Sequence, residues 1–204
     1  ELTESFDYSG SKVRSNVAKL VRKTPDFRAG VIYGIHAKRP PIHSTVDIAV
    51  YNTSGQILMG RKTNEKLWRF IGGFVDSEDL SDEMAAAREF NEETGGNCII
   101  GDVKYILSQR VDDWRYRKIN EGIMTRLFLA PHKFGMAEKS DDIEEVKWVD
   151  VKTFSNYDGI RSKVMPEHRD MMTKLINILY SEDLIPNIGE RLLERSGNVT
   201  YLNE

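Results

Sequence analysis

The chain of 204 residues carries a single cysteine, Cys98. No internal disulfide can form, and no zinc site built on several cysteines exists. No apolar run approaches the roughly 20 residues that cross a bilayer. A net charge of −3 gives no global attraction to nucleic acid or to an anionic membrane. His36, His43, His132 and His168 show neither metal-ligand spacing nor the logic of a catalytic triad, so none is assigned a role. Internal repeats and low-complexity segments are also missing. The first ten residues are polar and acidic, without a signal-peptide pattern, and a cytoplasmic protein is expected. What is present, 40% hydrophobic and 30% charged residues, suits one ordinary globular domain with appended elements.

Periodicity organises the chain. Val13, Val17, Leu20 and Val21 recur at helical spacing, which predicts an amphipathic helix over 11–23 that ends before Pro25. VIYGI at 31–35 reads as a short strand. TVDIAVYN and QILMGRK flank the turn signal NTSG and read as a hairpin. LWRFIGGFV is apolar, with a glycine pair that marks a close approach. Ser81 is a candidate N-cap, followed by Asp82 and Glu83 in a first turn where the helix dipole favours acids. That helix runs to Thr94 and stops at Gly95-Gly96. Further strands are expected at 97–100, 103–111, 122–130 and 145–151. A helix begins at Pro166, with Met171, Met172, Leu175 and Leu179 on one face, and another covers Ile188–Arg195. Strands joined mostly through hairpins, around one central helix, predict a mixed sheet with helices packed on it.

The central helix holds the chemistry. Glu89, Glu92 and Glu93 stand at i, i+3 and i+4 and share a face, at a repulsive cost of a few tenths of a kcal/mol per pair. Such a cluster suits hard cations, since Mg²⁺ and Mn²⁺ prefer oxygen ligands. The glycine pair upstream brings backbone N–H groups near the same site, where they can hold anionic oxygens.

GGFVDSEDLSDEMAAAREFNEETGG resembles the Nudix box, G-x5-E-x7-R-E-U-x-E-E-x-G-U, where U is a bulky apolar residue. Arg88, Glu89, Phe90, Glu92, Glu93 and Gly95 match every specified position of the second half except the last, which holds Gly96. In the first half the acid expected from Gly73 falls on Asp79, and Arg88 then comes one residue late. A one-residue loop insertion accounts for this, with Asp79 or Glu78 taking the acid's part in supporting the arginine. KLWRFIGGFV is similar to the strand that enters the box, and EEVKWVDV, with Trp148, to the family's late strand.

The resemblance implies a Nudix α/β/α sandwich, a mixed sheet between helices, over 43–155. Residues 1–42 are then an N-terminal extension of helix and strand, and 156–204 a helical C-terminal extension. It also implies hydrolysis of a nucleoside diphosphate linked to another moiety, with Mg²⁺ or Mn²⁺ held by Glu89, Glu92 and Glu93. Arg88 would hold the glutamates, and Gly73 would offer backbone to the metal. Glu92 or Glu93 would orient or deprotonate the water. Family members often keep the general base on another loop, which makes Glu121, Asp141, Asp142, Glu144 and Glu145 candidates. A homodimer is expected for proteins of this type.

The substrate is less directly written. Arg61, Lys62 and Arg69 lie near the box and suit phosphates. Trp68, Trp114 and Tyr116 suit a base, since stacking contributes about 1–3 kcal/mol. GGFVD with its insertion resembles Nudix domains that cleave ADP-ribose to AMP and ribose 5-phosphate. The proline that some ADP-ribose pyrophosphatases carry past the box is replaced by Gln109-Arg110-Val111-Asp112, and the zinc cysteines of the NADH pyrophosphatases are absent. Nucleotide sugars and nucleoside triphosphates are the alternatives. Residues 1–45 hold eight Lys/Arg against four Asp/Glu, which keeps an RNA-end hydrolase in view. A ligand-sensing regulator that binds DNA fits poorly, because residues 165–204 hold four Lys/Arg against seven Asp/Glu. A non-catalytic interaction domain leaves the repulsion of the three glutamates without a reward.

Overall fold

The computed structural model describes residues 25–36, 41–113, 116 and 121–185, with the single positions 15 and 19. Helix α1 (Pro25–His36) is followed by β1 (Ile42–Tyr51), β2 (Gln56–Lys62) and β3 (Ile71–Phe74). Helix α2 (Asp82–Glu93) precedes β4 (Cys98–Ile100), β5 (Lys104–Val111), β6 (Gly122–Gly135) and β7 (Ile143–Asp150). A 3₁₀ turn, α3 (Tyr157–Lys163), a second 3₁₀ turn and α4 (Arg169–Ser181) complete the described chain.

The strand order is β4-β6-β1-β2-β7, with β3 added to β1 and β5 to β6. β1 and β6 run parallel through the centre, and the other pairs are antiparallel, so the sheet is mixed. Successive residues of β1 alternate between faces. Val46, Ile48 and Val50 pack with Ala85, Ala86 and Phe90 of α2, together with Leu58, Ile71 and Phe128. Ala49 faces the other side, where Met59, Leu127 and Leu129 meet Met171, Met172, Leu175 and Leu179 of α4. Two helical layers thus enclose one sheet. α4 is one of those layers, and its buried methionines and leucines belong to the same core as the central strands.

One sequence expectation is corrected. Val31–Ile35 is not a strand but lies within α1. Proline is tolerated in the first turn of a helix, and Asp26 favours the same end, so Pro25 stands at the start of this helix. A five-residue apolar run does not by itself separate strand from helix. The helix expected at 11–23 lies outside the described residues except for positions 15 and 19, both helical, and Ile188–Arg195 lies outside them entirely. Among the described residues no helix is long and apolar enough to cross a membrane.

Candidate functional site

Helix α2 starts where the sequence says it should. The Ser81 hydroxyl accepts the Met84 N–H at 3.2 Å, and Gly95 and Gly96, both at φ 74°, end the helix. Its last turns lie against β3. Gly72 has φ 152°, and a Cβ there would strike the Val46 carbonyl. At Gly73 a Cβ would land on the Glu89 carboxylate. Two glycines in succession therefore let the glutamates of α2 press against the strand backbone.

Arg88 gathers the site. Its Nε and Nη2 donate to the two oxygens of Asp79 at 3.0 and 2.8 Å, a bidentate pair. Nη2 also donates to the Phe74 carbonyl at 3.0 Å, and Nη1 to Glu89 at 2.9 Å and Glu92 at 3.2 Å. Of the two acids that the shifted loop offered, Asp79 meets the arginine. The Asp76 N–H donates to the same Asp79 carboxylate at 2.8 Å, which closes the loop into a turn. These bonds hold the Asp79 carboxyl below the usual carboxylate range, the Arg88 side chain contributing most.

The three glutamates sit in different surroundings. Glu93 is 4% exposed and accepts the Gly72 N–H at 2.9 Å, with the Lys62 ammonium 3.9 Å away. Burial pushes its pKa up to about 8, against the pull of Gly72 and Lys62 and with a push from Asp142 and Glu89. Glu89 is 14% exposed and is raised too, by burial first, although Arg88 opposes this. Glu92 is 53% exposed. Among the described residues no three His, Cys, Asp or Glu side chains converge on one point; Arg88 Nη1 holds Glu89 and Glu92, while Glu93 turns to Gly72 and Lys62. The donor set is nonetheless all oxygen. Two desolvated carboxylates repel one another beside an open glycine backbone, which fits a hard divalent cation.

The loop after β6 closes on the end of α2. The Glu138 N–H donates to Thr94 O at 3.1 Å and the Ser140 N–H to Glu93 O at 3.2 Å. This brings Asp142 to Lys62, with which it forms an ion pair. The other base candidates are engaged elsewhere. Glu121 is 2.7 Å from His43 Nε2, Glu145 pairs with Arg61, and Glu144 meets Lys139 at 3.0 Å. Asp141 takes the turn at φ 50°.

The residues expected to meet substrate are scattered. Arg61 lies 5.1 Å over the Trp68 ring, so that face of the indole is covered by a cation, and Trp68 packs on the core. Arg69 lies 3.4 Å from Glu65 and 3.6 Å from Glu167. Tyr116 stands 4.8 Å from the His43 ring and lines a hollow of about 480 Å³ with Arg110, Asp113 and Glu121. Trp114 lies outside the described residues.

A polar cluster that the sequence did not reveal lies on the α4 side of the sheet. Asp47 is buried, accepts the Thr125 hydroxyl at 2.5 Å, and has His168 Nδ1 at 3.7 Å. Burial raises Asp47 to about 6 and lowers His168 to about 3, where Arg69 and Lys62 also disfavour the imidazolium. An aspartate inside the apolar run TVDIAVY was the signal for it.

A family model, the NUDIX domain, matches residues 41–175. RNA pyrophosphohydrolases of Pseudomonas aeruginosa and Pseudomonas paraeruginosa are 37% identical over 73 residues, 35% of this chain and 43% of theirs. The chain thus spans less than half the length of these relatives. The fold is similar to that of the Escherichia coli ORF135 protein, with a TM-score of 0.53 and 18% identity over 70% of this chain and 94% of that one. It is also similar to the NUDIX domain of Shewanella oneidensis NrtR, solved with ADP ribose, with a TM-score of 0.54 and 18% identity over 70% and 90%. The box on α2, the glycine-backed glutamates and the sandwich around them agree with the family model: the chain belongs to the Nudix family.

Proposed function

We propose that this chain is a metal-dependent pyrophosphohydrolase that cleaves a nucleoside diphosphate linked to another moiety. The observation that carries this reading is a pair of desolvated carboxylates set against Gly72-Gly73: Glu89, anchored by Arg88, and Glu93, which accepts the Gly72 N–H. A Mg²⁺ or Mn²⁺ ion held by Glu89, Glu92, Glu93 and the Gly73 backbone would polarise a phosphoryl oxygen and lower the pKa of water. The chain's own residues do the rest. Arg88, locked by Asp79 and the Phe74 carbonyl, fixes the glutamates in place. Water attacks one phosphorus, the bridging P–O bond breaks, and a carboxylate takes the water's proton. Asp142 is the assigned acceptor, because among the five candidates it lies across Lys62 from Glu93 and adds to the field on that carboxyl.

ADP-ribose is the leading substrate, giving AMP and ribose 5-phosphate. Support for it comes from the resemblance of the GGFVD loop to ADP-ribose-cleaving Nudix domains. RNA 5′ ends are the second reading, favoured by the 37% identity to RNA pyrophosphohydrolases over 73 residues. A product panel with Mg²⁺ or Mn²⁺ separates them: ADP-ribose, nucleotide sugars, dinucleotides, triphosphates and triphosphorylated or capped RNA. AMP and ribose 5-phosphate as the main products support the first reading. Release of pyrophosphate or phosphate from RNA, with ADP-ribose intact, supports the second.

A further inference from the structure

Lys62 occupies an unusual position. At the end of β2 the pairing with β7 slips, so that Arg61 opposes Glu145 and Lys62 opposes Ile143. A bulge of this kind re-aims a side chain. Arg61 goes to Glu145, while Lys62 turns inward, pairs with Asp142 and comes within 3.9 Å of Glu93 Oε1. Its backbone is pinned by the N–H that donates to Glu65 at 3.2 Å. The Lys62 side chain is still 27% exposed, so the ammonium has a way out toward solvent.

A divalent cation on Glu93 would place two positive charges beside this ammonium. Like charges that close repel strongly in a partly buried site. Lys62 and the metal therefore compete for one carboxylate. We propose that Lys62 is an internal counter-cation: without metal it holds Glu93 and Asp142, and metal binding expels it toward the substrate diphosphate. The inference rests on Glu93 being a metal-bearing carboxylate, as in the function proposed above. It makes Lys62 a positioning residue with two states. In the first it relieves the repulsion between Glu93 and Asp142. In the second it frees Asp142 to accept a proton and offers three N–H donors to a phosphate. A lysine suits this exchange better than an arginine, being a compact point charge on a flexible stem.

The test is Mn²⁺ binding to the substrate-free protein, read by the electron paramagnetic resonance of free Mn²⁺. Lys62→Met should bind Mn²⁺ about tenfold more tightly at low salt, with a smaller difference as salt rises. Its KM for the diphosphate substrate should rise at the same time. Lys62→Arg keeps the charge and should stay close to wild type in Mn²⁺ affinity. Unchanged or weaker Mn²⁺ binding by Lys62→Met would overturn the proposal. Should that variant not fold, the lysine ammonium resonances of the wild-type protein report the same exchange. One of them should lose its carboxylate-paired signature as Mg²⁺ is added, and a set that does not move would overturn the proposal. Tighter Mn²⁺ binding without turnover of any diphosphate would remove the hydrolase reading and leave the cation exchange standing. Unchanged Mn²⁺ binding in an active hydrolase would do the reverse.

Discussion

Replacing Glu93 by glutamine should change how stability depends on pH. The carboxyl is 4% exposed, and burial raises its pKa from 4.5 to about 8. Between those two values the folded protein keeps a proton that the unfolded chain has released. Stability of the metal-free protein therefore falls as pH rises from about 4.5 to about 8. At about 1.36 kcal/mol per pKa unit, the full shift corresponds to roughly 3–6 kcal/mol. That is a large part of the 5–15 kcal/mol, roughly, that holds a domain folded. Glutamine has a similar shape, carries no charge, and can still accept the Gly72 N–H. Urea unfolding in a chelator, followed by tryptophan fluorescence from pH 5 to pH 8.5, measures the slope. Wild type should lose stability across this range. Glu93→Gln should lose much less and be the more stable protein at pH 8.5. The difference between the two curves isolates Glu93, because Asp47 and His168 are common to both. Saturating Mg²⁺ should restore wild-type stability at high pH and do little for the variant. Parallel curves for the two proteins would refute the claim that burial of Glu93 outweighs the pull of Gly72 and Lys62 on its carboxyl.

Three further outcomes follow from the same geometry. Asp79→Asn removes the charge that grips Arg88 from two sides, and kcat should drop by roughly 10–100-fold, with KM less affected. Steady-state kinetics checks this, and an unchanged kcat would leave Asp79 with a purely local role in its turn. Asp142→Asn should lower kcat by about 10²–10⁴-fold, the usual range for a general base, while Glu121→Gln, Glu144→Gln and Glu145→Gln stay near wild type. A larger loss in one of those three would move the base to that residue. Gly73→Ala drives a methyl group into the Glu89 carboxylate, so Mn²⁺ affinity and kcat should fall together.

The box itself was legible because a helix converts spacing into a shared face. Glu89, Glu92 and Glu93, the Ser81 cap and the Gly95-Gly96 stop all fall where the 3.6-residue period puts them. The support of Arg88 was legible only as far as a pair, Asp79 or Glu78. Spacing along a loop does not say which carboxylate the backbone turns inward. Contacts across the sheet were not legible at all. Lys62 and Asp142 are 80 residues apart, and Asp47 and Thr125 are 78 apart, so only the packed sheet brings them together. The amphipathic face of α4 was evident from Met171, Met172, Leu175 and Leu179. That it forms the second layer of the sandwich depends on where β1 and β6 place Ala49, Leu127 and Leu129. Val31–Ile35 has the apolar composition of a strand yet lies within α1, because a short apolar run does not by itself fix the backbone period.

Glu92 and Glu93 should both be indispensable to metal-dependent hydrolysis. The decisive measurement is turnover of ADP-ribose, with Mg²⁺ or Mn²⁺, by wild type, Glu92→Gln and Glu93→Gln. Wild type should release AMP and ribose 5-phosphate, and a chelator should abolish the release. Each variant should remain folded and lose at least about two orders of magnitude in kcat. Variants that turn over at nearly the wild-type rate, or a wild-type rate indifferent to chelation, would contradict the account.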